Sequence, residues 1–274
     1  AMIICAPMIS QMVAEGAVRD EWEYPRLFHR EFIRRRQLVA VTEDGPVERR
    51  GRAGVGPMNV VIAGGAGELG RRLAADFESA GHDVVILTRA EKADLRFRQV
   101  LWDGRTVGNW ASELEGAIVV NLAGELVDRR PTASNIDLLR RSRVEPTEAL
   151  AAASKSCEVP PPLWLQMSTL AIYGDAGDDV IEEGHPPADG PPQMAGVATA
   201  WEAASMGAVA DRVVRLRTGV VFDNDTPAFN RLTRLTRWGL GGRIGSGDQW
   251  VSWIHIDDLL AAIRLLVDHP VLDG

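Results

Sequence analysis

The residues best suited to chemistry lie in a glycine-rich segment, VVIAGGAGELG at 60–70. An apolar run passes there into a turn and then into helical spacing, which predicts a strand, a turn and a helix. Such glycines let the backbone approach a phosphate group, and the following helix N-terminus favours its negative charge. The segment therefore predicts a pyrophosphate site for a dinucleotide. The residues assigned to that site are Gly64, Gly65, Ala66, Gly67, Glu68, Leu69 and Gly70.

Two motif spacings fit these glycines. Gly65, Gly67 and Gly70 satisfy G-x-G-x-x-G, and Gly64, Gly67 and Gly70 satisfy G-x-x-G-x-x-G. Both interpretations place the same backbone beside the phosphates. The alternative is a sharp strand-to-helix turn that binds nothing.

The end of the next apolar run indicates which dinucleotide to expect. Residues 83–88 predict a second strand, and it ends in Thr88 and Arg89. A site for NAD carries a carboxylate at this position, whereas a guanidinium can bind the 2′-phosphate of NADP through charge-assisted hydrogen bonds. We therefore expect NADP(H), with Thr88 and Arg89 in its site. A solvent-exposed arginine without a ligand is the alternative.

The remaining elements are those that must position this turn. Apolar runs predict further strands at 97–102, 117–122, 163–168 and 212–218, and helical spacing predicts helices at 69–80, 133–156 and 199–210. Continuous apolar strands alternating with helices are typical of a parallel sheet covered on both faces. The predicted fold is α/β, a Rossmann-type doubly wound parallel sheet with a small C-terminal substrate lobe.

Composition changes along the chain predict four segments. Residues 1–58 form an arginine-rich extension and linker, 59–222 an NADP(H)-binding domain, 223–254 a substrate-lobe segment, and 255–274 a C-terminal helix that returns to the core. A solvated helix face or a docked arm is the expected role of the arginines, and contact with nucleic acid is the alternative.

Charge and cysteine content narrow the function class. A net charge of −8 and a pI near 5.2 argue against a nucleic-acid surface spread over the protein, so a small-molecule substrate is expected. Only Cys5 and Cys157 occur, without metal-ligand spacing, which fits a cytoplasmic protein. Neither a membrane span nor a metal site is expected.

Several segments together resemble a known family. They are, besides the glycine turn, NLAGE at 121–125, SRV at 142–144, YGD at 173–175, WE at 201–202, LRTGV at 216–220, GGRIGSG at 241–247 and SWIHIDDL at 252–259. From about residue 59 to its end, the chain resembles the extended short-chain dehydrogenase/reductases, and more narrowly their epimerase-like branch, also labelled cell-division-inhibitor-like.

The resemblance implies further site residues. It places Asn121, Leu122, Ala123 and Gly124 beside the adenosine half of the cofactor, and Ser168 and Thr169 at the strand end next to the nicotinamide. It also implies a homodimer formed through the helices near 133–156 and 199–210, and a C-terminal segment shorter than that of relatives.

The family's usual catalytic pair does not carry over to this chain. Short-chain dehydrogenases use a Tyr-x-x-x-Lys pair for proton transfer, but Met194 and Ala198 stand at those positions and neither can transfer a proton. Thr169 and Tyr173 are the catalytic candidates that remain. Other ionisable residues expected nearby are Asp175, His185 and His255; Asp257 and Asp258 are expected to cap the last helix.

Two functional hypotheses follow. The first is an NADP(H)-dependent oxidoreductase or epimerase acting on a small polar or nucleotide-linked substrate. The second is a non-catalytic NADP(H)-binding regulatory or scaffold protein, and it is supported by the replaced Tyr-x-x-x-Lys pair.

Overall fold

A parallel sheet organises the computed structural model, which describes residues 2–4, 56–223, 233–238 and 251–269. Its strands are β1 (Met2–Ile4), β2 (Asn59–Ala63), β3 (Asp83–Thr88), β4 (Arg98–Leu101), β5 (Ile118–Asn121), β6 (Trp164–Thr169) and β7 (Val213–Thr218). The helices are α1 (Glu68–Ser79), α2 (Ala133–Ser154), α3 (Val197–Ser205) and α4 (Ile256–Asp268). Short helical turns occupy Asn109–Leu114, Leu170–Tyr173 and Pro192–Gly196.

The strand order confirms the predicted fold class. The order across the sheet is β1-β7-β6-β5-β2-β3-β4, and every neighbouring pair is parallel. From β2 the chain adds β3 and β4 on one side and then returns to place β5 on the other side. The carboxyl end of β2 is therefore the point where the winding direction reverses, and ligands of such sheets bind at this point.

Side chains of β2 alternate between two apolar cores. Val60 and Ile62 pack in one buried cluster with Phe77 of α1 and Ile263 of α4, and Val61 packs in the other with residues of α2. Because successive side chains of a strand point to opposite faces, a strand covered on both sides must be apolar at every position. This explains the unbroken apolar run that precedes the glycines.

Most predicted elements occur within two residues of the expected bounds, but one helix differs and three strands were not predicted. The helix expected at 199–210 begins earlier, at Val197, and ends at Ser205, two residues before Gly207. A second, two-stranded parallel sheet pairs β8 (Val220–Phe222) with β9 (Trp253–His255) and was not predicted. Strand β1 was not predicted either. Three-residue strands carry too little periodicity to be recognised without their partners.

The expected caps of the last helix are wrong. The Nδ1 atom of His255 accepts a hydrogen bond from the backbone N–H of Asp257 at 3.2 Å, so His255 is the N-cap of α4. Asp257 and Asp258 lie in the first turn instead, where the helix dipole favours negative charge.

The chain divides into two compact units. The first contains residues 1–5, 56–222 and 252–274, and the second contains residues 6–55 and 223–251. The first holds the sheet and its helices; most of the second lies outside the described residues, including nearly all of the arginine-rich segment. Among the described residues no helix is long and apolar enough to cross a bilayer.

Candidate functional site

The glycine turn is packed backbone to backbone against the segment that follows β5. Gly64 has a φ of +77°, and a Cβ atom there would lie 2.9 Å from the carbonyl carbon and oxygen of Leu122. Side chains other than hydrogen are excluded by both the dihedral angle and the contact. The ends of β2 and β5 are thereby brought together at the reversal point of the sheet.

The other glycines of the turn have two different roles. A Cβ atom on Gly70 would lie 2.4 Å from the Cα atom of Gly65, so Gly70 lets α1 approach the turn. Gly67 is the N-cap of α1, and a Cβ atom there would meet only the Gly64 carbonyl oxygen, at 3.5 Å. Folding therefore requires Gly64 and Gly70 to be glycine, whereas Gly67 leaves bare backbone at an exposed helix N-terminus. This arrangement fits a pyrophosphate.

The three remaining residues assigned to the turn lie beside it. The Ala66 carbonyl oxygen accepts a hydrogen bond from Nε of Arg71 at 3.0 Å. Glu68 is exposed in the first turn of α1, and Leu69 packs partly against the core.

Asn121 shapes the loop after β5 from beneath. It is fully buried; its Nδ2 donates to the Thr147 hydroxyl at 2.7 Å and to Oε1 of Gln166 at 3.0 Å. Its Oδ1 accepts from the N–H of Ala123 at 3.2 Å. Asn121, Leu122, Ala123 and Gly124 therefore do line this edge of the sheet, but the Asn121 amide group is used internally to fix the backbone of the loop.

Arg143, a half-buried arginine of the SRV segment, supports the same loop, and sequence patterns predicted no role for it. Arg143 donates from Nη2 to the Glu125 carbonyl oxygen at 2.9 Å, and its guanidinium lies 5.2 Å from the ring centre of Trp201. A Cβ atom on Gly124 would lie 3.0 Å from its Cζ atom. Burial lowers the pKa of Arg143, and the nearby Glu125 partly offsets that effect. No salt bridge to it occurs within the described residues.

Arg89 lies at the opposite side of the turn, directly after β3. Its side chain is 73% exposed, and its Nη2 atom lies 3.2 Å from Oε1 of Glu125. The preceding Thr88 is buried, and its hydroxyl donates to the carbonyl oxygen of Ala90 at 2.8 Å. The guanidinium is therefore exposed at the end of β3, and its role in a cofactor site stays a prediction.

Ser168, one of the two residues predicted near the nicotinamide end of the site, belongs to a buried polar cluster. The Ser168 hydroxyl donates to Oε1 of Glu202 at 2.5 Å. Both carboxylate oxygens of Glu202 bind Arg217, at 2.8 and 2.7 Å. Arg217 and Glu202 therefore form an internal ion pair.

The two catalytic candidates have separate hydrogen-bond partners. The Tyr173 hydroxyl accepts from Nη1 of Arg217 at 2.6 Å and makes a long contact of 3.4 Å to the Glu183 carbonyl oxygen. The half-buried Thr169 hydroxyl accepts from the N–H of Ala171 at 3.2 Å. Thr169 thus caps a short helical turn, and Tyr173 forms part of the buried cluster.

Met194 and Ala198 supply no proton-transfer group to this cluster. Ala198 is buried against Tyr173, and Met194 is half-buried in the turn before α3. His185 is exposed, with its ring centre 5.8 Å from that of Tyr173, and Asp175 accepts from the N–H of Gly177. No group of three metal-binding side chains is present in the described part of the chain.

Comparison with known proteins agrees with this geometry. The model of the NAD dependent epimerase/dehydratase family matches residues 60–273. The chain belongs to this family. An epimerase family protein of Mycobacterium leprae is 32% identical over 220 residues, which cover 78% of this chain and 69% of the relative. The resemblance to epimerase-like short-chain dehydrogenases is thus confirmed.

Two solved structures are also similar to this epimerase-family chain. Human epimerase family protein SDR39U1 (isoform 2), crystallised with NADPH, superposes with a TM-score of 0.69 at 30% identity, covering 79% of this chain and 72% of that chain. The nucleoside-diphosphate sugar epimerase from Corynebacterium glutamicum gives a TM-score of 0.66 at 32% identity, covering 79% of this chain and 45% of that one. The sheet is therefore an NAD(P)-binding Rossmann sheet.

Electrostatics make the Glu202–Arg217 pair of this family member a strong internal contact. Burial alone would raise the pKa of Glu202, but hydrogen bonds from Arg217 and Ser168 outweigh it and lower the pKa. The hydrogen bond to Glu202 likewise raises the pKa of Arg217. Both groups therefore stay charged at neutral pH.

Breaking this pair should destabilise the protein. E202Q leaves the Arg217 guanidinium buried without a counter-charge, so we expect the free energy of unfolding in urea to fall by about 3 kcal/mol at pH 7. Because the folded-state pKa of Glu202 is below its ordinary value of 4.5, the deficit should shrink as the pH falls through and below that value.

The matched control is E113Q, which removes an exposed Arg98–Glu113 pair. It should change stability by less than about 1 kcal/mol. Equal effects of both substitutions would contradict the importance of the buried pair.

Proposed function

We propose that this protein binds NADP(H) at the glycine turn and acts as an oxidoreductase or epimerase on a small polar or nucleotide-linked substrate. The observation that carries the proposal is the exposed Arg89 guanidinium at the end of β3, beside a turn shaped for a pyrophosphate. A dianionic 2′-phosphate matches a guanidinium, whereas an NAD site would carry a carboxylate at that strand end. The NADPH in the human relative supports the same choice.

The substrate class is supported by the second solved structure. The Corynebacterium glutamicum protein is a nucleoside-diphosphate sugar epimerase, and 32% of aligned residues are identical to it. This chain spans less than half of that protein. We therefore extend to this chain the general class of polar, nucleotide-linked substrates, without one particular sugar.

Thr169 and Tyr173 are the residues we propose beside the reacting oxygen. A bound nicotinamide would supply hydride transfer. Arg217 donates to the Tyr173 oxygen, so the hydroxyl hydrogen of Tyr173 is left to donate to another acceptor. Its contact to the Glu183 carbonyl oxygen is long, at 3.4 Å, and a substrate oxygen at normal hydrogen-bond distance could replace it. Arg217 would then hold the ring in place.

A non-catalytic, cofactor-binding regulatory or scaffold role is the second candidate. It is favoured by Met194 and Ala198, which remove the acid/base tyrosine and its lysine from the positions where the wider superfamily carries them. The two candidates share the cofactor site and differ only in turnover.

Turnover is tested with a panel of carbonyl compounds and nucleotide sugars, followed by NADPH absorbance and by separation of epimers. The catalytic proposal expects turnover with at least one compound, and a loss of about 100-fold or more in kcat for Y173F, because the proton donor is removed. No turnover in a protein that binds NADPH would favour the regulatory role.

Cofactor choice should depend on Arg89. We expect R89A to weaken NADPH binding by about ten-fold or more in calorimetric titration, and to change NADH binding by less than about two-fold, since only NADPH carries the phosphate. R98A removes another exposed, ion-paired arginine and should leave both affinities unchanged. An equal loss of both cofactors in R89A would refute the assignment to the 2′-phosphate.

The two roles of the glycines can be separated by substitution. Gly67 has φ −76° and ψ 172°, which alanine adopts without strain, so G67A should keep its free energy of unfolding within about 1 kcal/mol. Its new methyl group lies at the exposed backbone, so NADPH affinity should fall by about ten-fold or more.

G184A is the matched control, because nothing lies within 4 Å of a Cβ atom at that loop glycine. G184A should change neither the free energy of unfolding nor the NADPH affinity. Full NADPH affinity in G67A would argue that the pyrophosphate does not contact this turn.

A further inference from the structure

One ion pair crosses the end of the strand from which the glycine turn starts. In the sheet β2 lies between β3 and β5. Arg89 follows β3 and Glu125 lies in the loop after β5, and their side chains meet at 3.2 Å although they are 36 residues apart. Gly64 is bracketed by the same two segments: its N–H donates to the Leu87 carbonyl oxygen, and its Cα approaches Leu122.

The two partners are held with unequal firmness. The Glu125 N–H donates to the Ser142 hydroxyl at 3.1 Å, and its carbonyl oxygen accepts from Arg143 at 2.9 Å, so α2 fixes its backbone on both sides. The Glu125 side chain is 30% exposed, whereas that of Arg89 is 73% exposed. The Glu125 backbone is therefore fixed, and the more exposed Arg89 side chain has the greater freedom to exchange partners.

The Arg89 guanidinium cannot pair fully with both the Glu125 carboxylate and a cofactor 2′-phosphate. A 2′-phosphate that binds Arg89 must compete with the Glu125 carboxylate, and two negative groups held beside one guanidinium repel each other. NADH brings no phosphate, so the Arg89–Glu125 pair can persist when it binds. The carboxylate therefore weakens NADP(H) selectively.

We infer that Glu125 is a specificity-determining residue, which lowers the preference for NADP(H) over NAD(H) by competing for Arg89. This inference rests on the proposed function, because it takes the glycine turn as the dinucleotide site. Sequence patterns assign the choice between NAD(H) and NADP(H) to the end of β3 alone. Here a residue of the loop after β5 also affects that choice.

The test compares E125Q with the unaltered protein by calorimetric titration of NADPH and NADH. Glutamine keeps the size of the side chain and removes its charge. We expect NADPH to bind about five-fold more tightly to E125Q and NADH to change by less than about two-fold, which matches the loss of one exposed ion pair. The gain in NADPH affinity should shrink in 0.5 M NaCl, because added salt shortens the electrostatic screening length, which is about 10 Å at 0.1 M.

Two further variants serve as controls. E113Q removes a carboxylate from another exposed arginine pair and should leave the NADPH to NADH affinity ratio unchanged. In an R89A background E125Q should no longer strengthen NADPH binding, because the competition requires the guanidinium.

The outcomes are distinguishable. An affinity ratio in E125Q within two-fold of the unaltered protein, or weaker NADPH binding, overturns the inference while R89A still tests the proposed cofactor site. If the unaltered protein binds neither dinucleotide, the proposed function and this inference fall together.

Discussion

The close approach of Gly64 to Leu122 is the constraint on which the rest of this site depends. The two backbones meet at a distance that leaves no room for a Cβ atom, because the carboxyl ends of adjacent parallel strands must both turn outward there. That contact sets where α1 begins, since its first turn lies against Gly65. It also sets the path of the loop after β5, and therefore the position of Glu125.

Two buried polar clusters make this edge of the sheet rigid. One joins Asn121 to Thr147 and Gln166, and the other joins Glu202 to Ser168 and Arg217. Buried polar groups are costly unless each finds a partner, and here side chains of neighbouring strands and helices supply one another. The second cluster also occupies the Tyr173 hydroxyl, so structural support and candidate chemistry use the same atoms.

The charges around the turn matter because the whole chain is acidic. With a net charge of −8, a dinucleotide is attracted only by local features. Among the described residues these are the N-terminus of α1, the exposed Arg89 and the half-buried Arg143, which lie beside segments that meet at the turn. The Glu125 carboxylate pairs with Arg89 and also acts to raise the pKa of Arg143, so a single carboxylate acts on both arginines.

The sequence alone determined the features that depend on local order: the unbroken apolar run of β2, the glycine turn, and Arg89 in place of a carboxylate. From these features the sequence predicted the fold class, because hydrophobic periodicity and the backbone freedom of glycine depend on residues that are consecutive in the chain. Tertiary structure alone decided that Arg89 meets Glu125, that Arg217 pairs with Glu202, and that His255 caps α4. The Arg89–Glu125 contact joins segments brought together by strand order across the sheet, and the Arg217–Glu202 pair joins β7 to the helix α3. The His255 cap depends on where β9 ends and α4 begins, which tertiary pairing sets.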